Sequence, residues 1–279
     1  MNLYSVNTGH FKLDGGAMFG VVPKTMWDKI NPADADNMCP WAMRSLLVED
    51  GGRLVLIDNG IGDKQDAKFF GHYHLHGTDT LDSSLAKYGF TRNDITDVFL
   101  THLHFDHCGG SVEWNSARDG FRPTFKNATF WSNEKHWNHA VRPNVREKAS
   151  FLKENILPIQ ESGQLRFLPE GEDLFPGFSV YLADGHTESQ MIPVIDYKGT
   201  QVVYCADVAP SVGHIRPAWV MAYDIRPLDS MREREFIMNR AAEKGQVLFF
   251  EHDPVNECAV LKSTDKGPVI DRIFRLDEY

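Results

Sequence analysis

The segment Thr101-His102-Leu103-His104-Phe105-Asp106-His107 places three imidazoles and one carboxylate within six consecutive positions. Imidazole nitrogens bind borderline cations such as zinc, iron, cobalt and nickel, and a carboxylate adds a hard oxygen donor. An extended backbone through 104 puts His102 and His104 on the same side of the chain. Asp106 and His107 then come from the turn that follows, where Gly109-Gly110 lets the chain bend sharply. A solvated, His-rich turn is the bland alternative. Against it stands the apolar run DVFL in front of the segment, which carries it into the interior. The chemistry that this spacing points to is metal binding.

Further donors must come from elsewhere in the chain, and three have a common context. His186 lies in Ala183-Asp184-Gly185-His186-Thr187, Asp207 in Cys205-Ala206-Asp207, and His252 in Glu251-His252-Asp253. Each follows the C-terminal end of an apolar strand pattern, where open α/β sheets collect functional groups. A lone His after a strand is usually a surface-loop residue, but here the context recurs three times. Asp58, Glu251 and Asp253 are carboxylates placed to orient ligand imidazoles. The alternating His72-Tyr73-His74-Leu75-His76 lacks an acidic partner and reads as a loop or lid near the entrance. His136 and His139 read as surface or packing residues of a helix.

The elements that must position these groups alternate between two periodicities. Strand patterns cover 3–7, 42–49, 53–57, 97–101, 128–131, 178–182, 191–195, 201–205 and 247–250. Asp50-Gly51-Gly52 makes 42–57 a β-hairpin. Helical patterns cover 80–88, a segment from about 133, 146–156 (ending before Pro158) and 230–244, the last with Phe236, Met238 and Ala241 among its apolar positions. Clustered strands interleaved with helices predict a layered α/β sandwich.

Composition bounds the partners. The chain has 279 residues, a formal charge of −10, 42% hydrophobic and 24% charged residues, the profile of a globular protein. The acidic balance argues against nucleic acid, and no apolar run approaches the roughly 18–20 residues of a membrane span. The N-terminus shows no signal-peptide pattern. Four cysteines without a CxxC pair read as reduced thiols, which predicts a cytoplasmic location.

The HLHFDH motif followed in order by His186, Asp207 and His252 resembles the metallo-β-lactamase fold superfamily. The likeness spans most of the chain, and the Asp58-Asn59-Gly60 turn after an early strand is similar to the family's Asp-turn. Asp14-Gly15-Gly16-Ala17-Met18-Phe19-Gly20, with Val22-Pro23-Lys24 and Trp27, is similar to the lactonase-like branch, which holds N-acyl-homoserine lactonases and organophosphate-hydrolase relatives. The resemblance implies an αββα four-layer sandwich and one hydrolase domain over 1–279. It also implies two divalent ions, zinc first, with iron, manganese or cobalt as alternatives. His102, His104 and His186 would hold one ion, Asp106, His107 and His252 the other, and Asp207 would bridge both together with a hydroxide. That hydroxide would attack a lactone or other ester carbonyl, with Asp106 as the catalytic carboxylate that orients it and passes a proton to the leaving alkoxide.

The same ligand set serves several activities in the family. The presence of Asp207 at the bridging position argues against a true β-lactamase. A glyoxalase II-like thioesterase and a phosphotriesterase or phosphodiesterase stand as alternatives, and a metal-free small-ligand-binding relative is the non-enzyme alternative. Acyl-homoserine lactonases carry a Tyr three residues after the bridging Asp, where this chain has Pro210. His214 or Tyr223 is then the expected substitute donor, with Met18, Phe19 and Val21 as a flexible apolar segment over the acyl chain. The expected partner is a small ester or lactone, with neither nucleic acid nor membrane involved, and a homodimer is a compatible assembly.

Overall fold

The computed structural model describes residues 1–279, whose contacts divide them into two compact units. The first consists of Met1–Gly9 and Met43–Glu172, the second of His10–Ala42 and Asp173–Tyr279. The chain opens with β1 (Asn2–Asp14), α1 (Gly15–Phe19), α2 (Lys24–Trp27) and β2 (Met38–Asp50), and both strands pass from one unit into the other.

The first unit continues through β3 (Arg53–Ile57), α3 (Ala67–Gly71), α4 (Leu81–Ala86), β4 (Asp97–Phe99), α5 (Phe105–Cys108), β5 (Val112–Trp114) and β6 (Phe121–Pro123). It ends with β7 (Thr129–Ser132), α6 (Glu134–Val141), α7 (Lys153–Glu161) and β8 (Leu165–Phe167). Its sheet runs β1-β2-β3-β4-β7-β8. The hairpin is present: Asp50 pairs with Arg53 and Leu46 with Ile57 across Gly51 and Gly52, both at positive φ. From β3 to β8 the pairing is parallel, and Leu54–Ile57 of β3 and Val98 and Phe99 of β4 are apolar on both faces, as doubly covered strands require. Leu56, Val98, Phe125, Phe130, Trp137, Ile156 and Ile159 belong to one buried cluster. Asn133 caps α6 by accepting from His136 N–H at 2.8 Å.

One sequence expectation fails here. Residues 146–152 are not helical, and α7 begins at Lys153 and runs through Pro158. A proline inside a helix leaves the carbonyl four residues back without its usual donor. Burial of Asn155, Ile156 and Ile159 holds the helix in spite of that loss.

The second unit carries β9 (Phe178–Ala183), β10 (Gln190–Tyr197), β11 (Thr200–Tyr204), α8 (Pro227–Lys244), β12 (Val247–Phe249), β13 (Cys258–Lys262) and β14 (Val269–Phe274). Its sheet runs β14-β13-β12-β11-β10-β9. All pairs are antiparallel except β11 with β12, whose connection contains α8. Arg234, Ile237, Met238 and Ala241 form the buried stripe of α8. Phe236, one of the apolar positions of the helical pattern, is 54% exposed. No helix is long and apolar enough to cross a membrane, and all four cysteines are free and buried.

Around α1, Met18 and Phe19 are buried. Asp14 accepts from Ala17 N–H at 2.8 Å and caps the helix. Phe19 stacks on Trp27 at 5.3 Å and on the His214 ring at 4.8 Å. His214 Nε2–H donates to the Met18 carbonyl at 2.8 Å, and Nδ1 accepts from the Ser211 hydroxyl at 2.8 Å. Burial, aided by the nearby Arg234 charge, pushes the His214 pKa down to about 3. Below the unfolded value of 6.5 the unfolded chain takes up a proton that the folded ring refuses, so stability falls with pH from 6.5 toward 3. Phe19→Ala should cost about 3–5 kcal/mol in denaturant unfolding. His214→Gln should be most destabilising near neutral pH, and its difference from wild type should shrink as the pH is lowered. A difference independent of pH would contradict a neutral buried ring.

Candidate metal centre

In the first unit His102 and His104 stand on the turn between β4 and α5, and Asp106 and His107 stand in α5 itself. His102 comes three residues after the end of β4. The turn is held against residues 58–62, which follow β3, by backbone contact. Asn59 N–H donates to the His107 carbonyl and Gly110 N–H to the Gly60 carbonyl, both at 2.9 Å. A Cβ on Gly109 would lie 2.1 Å from the Ile61 carbonyl oxygen, and one on Gly110 would lie 2.3 Å from that of Asn59. The Lys64 ammonium, buried, donates to the Gly109 carbonyl.

Asp58 organises this half. Its Oδ1 accepts from Thr101 N–H at 2.8 Å, and its Oδ2 accepts from the Thr101 hydroxyl at 2.6 Å. The same Oδ2 faces His107 Nδ1 at 3.1 Å, which turns His107 Nε2 to the opposite side of the ring. With its proton given to Asp58, the Thr101 oxygen can accept from His102 Nδ1–H at 3.1 Å. His102 Nε2 then faces His104 Nδ1 at 3.0 Å. Two ring nitrogens so close need a proton or a cation between them. His107 Nε2 is 3.8 Å from Asp106 Oδ2, and all four side chains are buried.

The second unit repeats the strand-end placement. His186, Asp207 and His252 each stand three residues past the ends of β9, β11 and β12. The His186 turn is built by the start of α8: Asp184 and Gly185 N–H donate to Glu233 at 2.7 and 3.0 Å, and Arg226 Nη1 donates to the Asp184 carbonyl at 2.7 Å. A Cβ on Gly185 would lie 2.2 Å from Ser230 N. His252 is fixed by Nδ1–H donating to the Ala42 carbonyl at 2.8 Å.

Asp207 divides its carboxylate between two imidazoles. Oδ2 is 3.1 Å from His186 Nε2, and Oδ1 is 3.2 Å from His252 Nε2. On its other side His186 Nδ1 meets Asp224 Oδ1 at 3.0 Å, and Arg234 Nη2 lies 4.0 Å from Asp224. Burial works against charge on His186, but Asp207 and Asp224 outweigh it and hold its pKa up at about 10. A cation bound there would displace that proton. His102, His107, His186 and His252, then, each have one nitrogen engaged by an outer partner, which directs the opposite nitrogen. These His/Asp clusters suit a metal ion.

Other expected residues fall elsewhere. Met18, Phe19 and His214 are buried in the aromatic packing of the second unit, and both His214 nitrogens are taken, so that ring has no donor left for a substrate. Val21 is 88% exposed and Tyr223 39% exposed. His72, His74 and His76 lie past α3 on an exposed stretch, outside both donor sets. His136 is buried on α6, and its Nε2 accepts from Leu103 N–H at 2.8 Å. Asp253 accepts from the Val212, Val255 and Asn256 N–H groups. Asp224 was not anticipated: it lies in a loop with no motif, and only the fold brings it behind His186.

The glycine contacts make a direct prediction. Gly110→Ala should force the 58–62 and 101–110 turns apart, lowering both the melting temperature and the metal content relative to wild type. Thermal unfolding and elemental analysis check it, and a variant equal to wild type in both would contradict the contact.

The metallo-beta-lactamase superfamily model matches residues 44–252. No curated protein sequence matches the chain. A probable metal-dependent hydrolase from Staphylococcus aureus is similar in structure, with TM-score 0.89 and 29% identity over 98% of this chain and 96% of that one. AidC, a dizinc quorum-quenching lactonase in complex with a product, has TM-score 0.77 and 24% identity over 96% of this chain and 92% of that one. An N-acyl homoserine lactone hydrolase with N-hexanoyl-L-homoserine at its catalytic metal centre has TM-score 0.68 and 17% identity over 90% and 93%. At such identities the last two concern the fold alone. The chain belongs to the metallo-β-lactamase superfamily.

Proposed function

We propose that this chain is a dinuclear metal-dependent hydrolase that opens lactones or cleaves other carboxylic esters. One observation carries the reading: each oxygen of Asp207 faces a different imidazole, His186 at 3.1 Å and His252 at 3.2 Å, as a bridging carboxylate requires. In this reading His102, His104 and His186 hold one ion, and Asp106, His107 and His252 hold the second. Asp207 is shared, and zinc is the first candidate. Bound there, the ion pair would supply a water acidified toward neutral pH and a Lewis acid for the carbonyl oxygen.

The chain's own residues do the rest. Five neutral imidazoles and two carboxylates leave two dications with net positive charge, which favours charge developing on a substrate oxygen. Asp106 is the one carboxylate of the first-unit set and opens α5. It orients the attacking water and passes a proton to the leaving alkoxide. With His214 fully engaged, Tyr223 is the remaining donor for the substrate carbonyl among the two expected. The lactone preference rests on the similarity of the Asp14–Gly20 segment, with Val22-Pro23-Lys24 and Trp27, to the lactonase-like branch.

Purified protein should carry about two ions per chain, the count a shared bridge implies. It should hydrolyse a lactone or aryl ester and lose that activity on chelation. Asp207→Ala should lose metal and activity together. A panel of lactones, aryl esters, thioesters and phosphotriesters on zinc-, iron-, manganese- and cobalt-loaded protein decides the substrate class. Full activity of Asp207→Ala would contradict the assignment, and turnover of only thioesters or phosphotriesters would replace the lactone reading.

A further inference from the structure

Four of the five donor imidazoles have an outer partner described above: Thr101 for His102, Asp58 for His107, Asp224 for His186 and the Ala42 carbonyl for His252. The fifth, His104, turns Nδ1 toward His102 and its opposite nitrogen, Nε2, toward Glu147, whose Oε1 lies 3.8 Å away. Glu147 is 4% exposed and stands in the connection 142–152, the stretch that replaces the expected helix.

The carboxylate is anchored from behind. Glu147 Oε2 accepts from His139 Nε2 at 2.8 Å, at the end of α6, and from the Asn144 side-chain amide. Asn144 Oδ1 in turn accepts from the N–H groups of Arg146 and Glu147 at 2.9 and 3.0 Å, which ties the turn to itself. The connection also grips the donor segment at two further points. Phe105 N–H donates to the Ser150 carbonyl at 3.0 Å. The Phe151 ring packs on His104 at 4.7 Å and on His136 at 5.9 Å. A buried carboxylate costs free energy unless something pairs with it; here Oε2 accepts from His139 and Asn144, and Oε1 faces His104 Nε2 at 3.8 Å.

We propose that Glu147 is a positioning residue for His104: its charge, 3.8 Å from Nε2, favours the ring proton on that nitrogen and so turns Nδ1 to the ion shared with His102. The proposal rests on the metal-hydrolase reading above and extends it to a residue outside the seven donors. A carboxylate behind a ligand imidazole fixes its tautomer and orientation and strengthens the nitrogen opposite, and its loss lowers metal affinity about 10–100-fold. The bland alternative is a buried ion pair that merely ties the end of α6 to the connection. That role would move stability without moving one ion's affinity relative to the other's.

The test is a Co2+ titration of the demetallated full-length protein, followed by ligand-field absorption and competed with a chelating dye. Wild type, Glu147→Gln and Glu147→Ala are compared, with thermal unfolding alongside. Glu147→Gln keeps the size and an acceptor oxygen and removes the charge, so it remains informative if the alanine variant fails to fold. The expected result is one ion weakened about 10–100-fold in the variants, with the other within a few-fold of wild type. Wild-type affinities for both ions in Glu147→Gln would overturn the proposal and leave the hydrolase reading standing. Equal weakening of both ions together with a lowered melting temperature would overturn it in favour of the structural role. A wild-type protein that binds no Co2+ would overturn the hydrolase reading and the proposal with it.

Discussion

The structure depends on keeping bare donor atoms out of water and close to one another. Five imidazoles and two carboxylates are almost wholly buried; within the first unit His102 and His104 face each other at 3.0 Å, and within the second Asp207 faces His186 and His252 at 3.1 and 3.2 Å. Burying polar groups in this way is costly unless each is paired. The protein meets that cost by engaging the far side of the rings. Asp58 serves His107 and Thr101 together, Asp224 serves His186, and a main-chain carbonyl serves His252. With one nitrogen occupied, the other has a defined protonation and direction, and a cation is the natural group to relieve the crowding.

Backbone geometry makes that possible. His102, His186, Asp207 and His252 each stand three residues beyond a strand end, so the strands act as rulers for side chains that are far apart in sequence. Glycines at 62, 109, 110 and 185 let neighbouring main chains approach where any Cβ would collide. Those close approaches leave the turns little freedom, which is how loop residues acquire the precision of a core.

Much of this was legible in the residues themselves. HLHFDH announces a donor cluster because few other roles use three histidines and an aspartate so closely spaced. His186, Asp207 and His252 were readable from the apolar runs before them, and Asp58 from the turn after VLI. What was not legible depended on tertiary contacts. Pro158 suggested a helix end, yet Ile156 and Ile159 pack well enough to carry α7 through it. The β13–β14 hairpin escaped because β14, an edge strand, is mostly exposed and carries charge, which blurs its alternation. Asp224 and Glu147 carry no local pattern at all; only folding brings them behind histidines 38 and 43 residues away. His214 shows the opposite error, since a histidine near a suspected site turned out to be a neutral core residue clamping Met18.

The central claim is that these side chains hold two ions with Asp207 between them. Anomalous diffraction at the metal absorption edge, on crystals of metal-loaded protein, tests it most directly. The account predicts two peaks, one beside each oxygen of Asp207. A single peak remote from Asp207, or none in crystals whose protein hydrolyses its ester substrate, would contradict it.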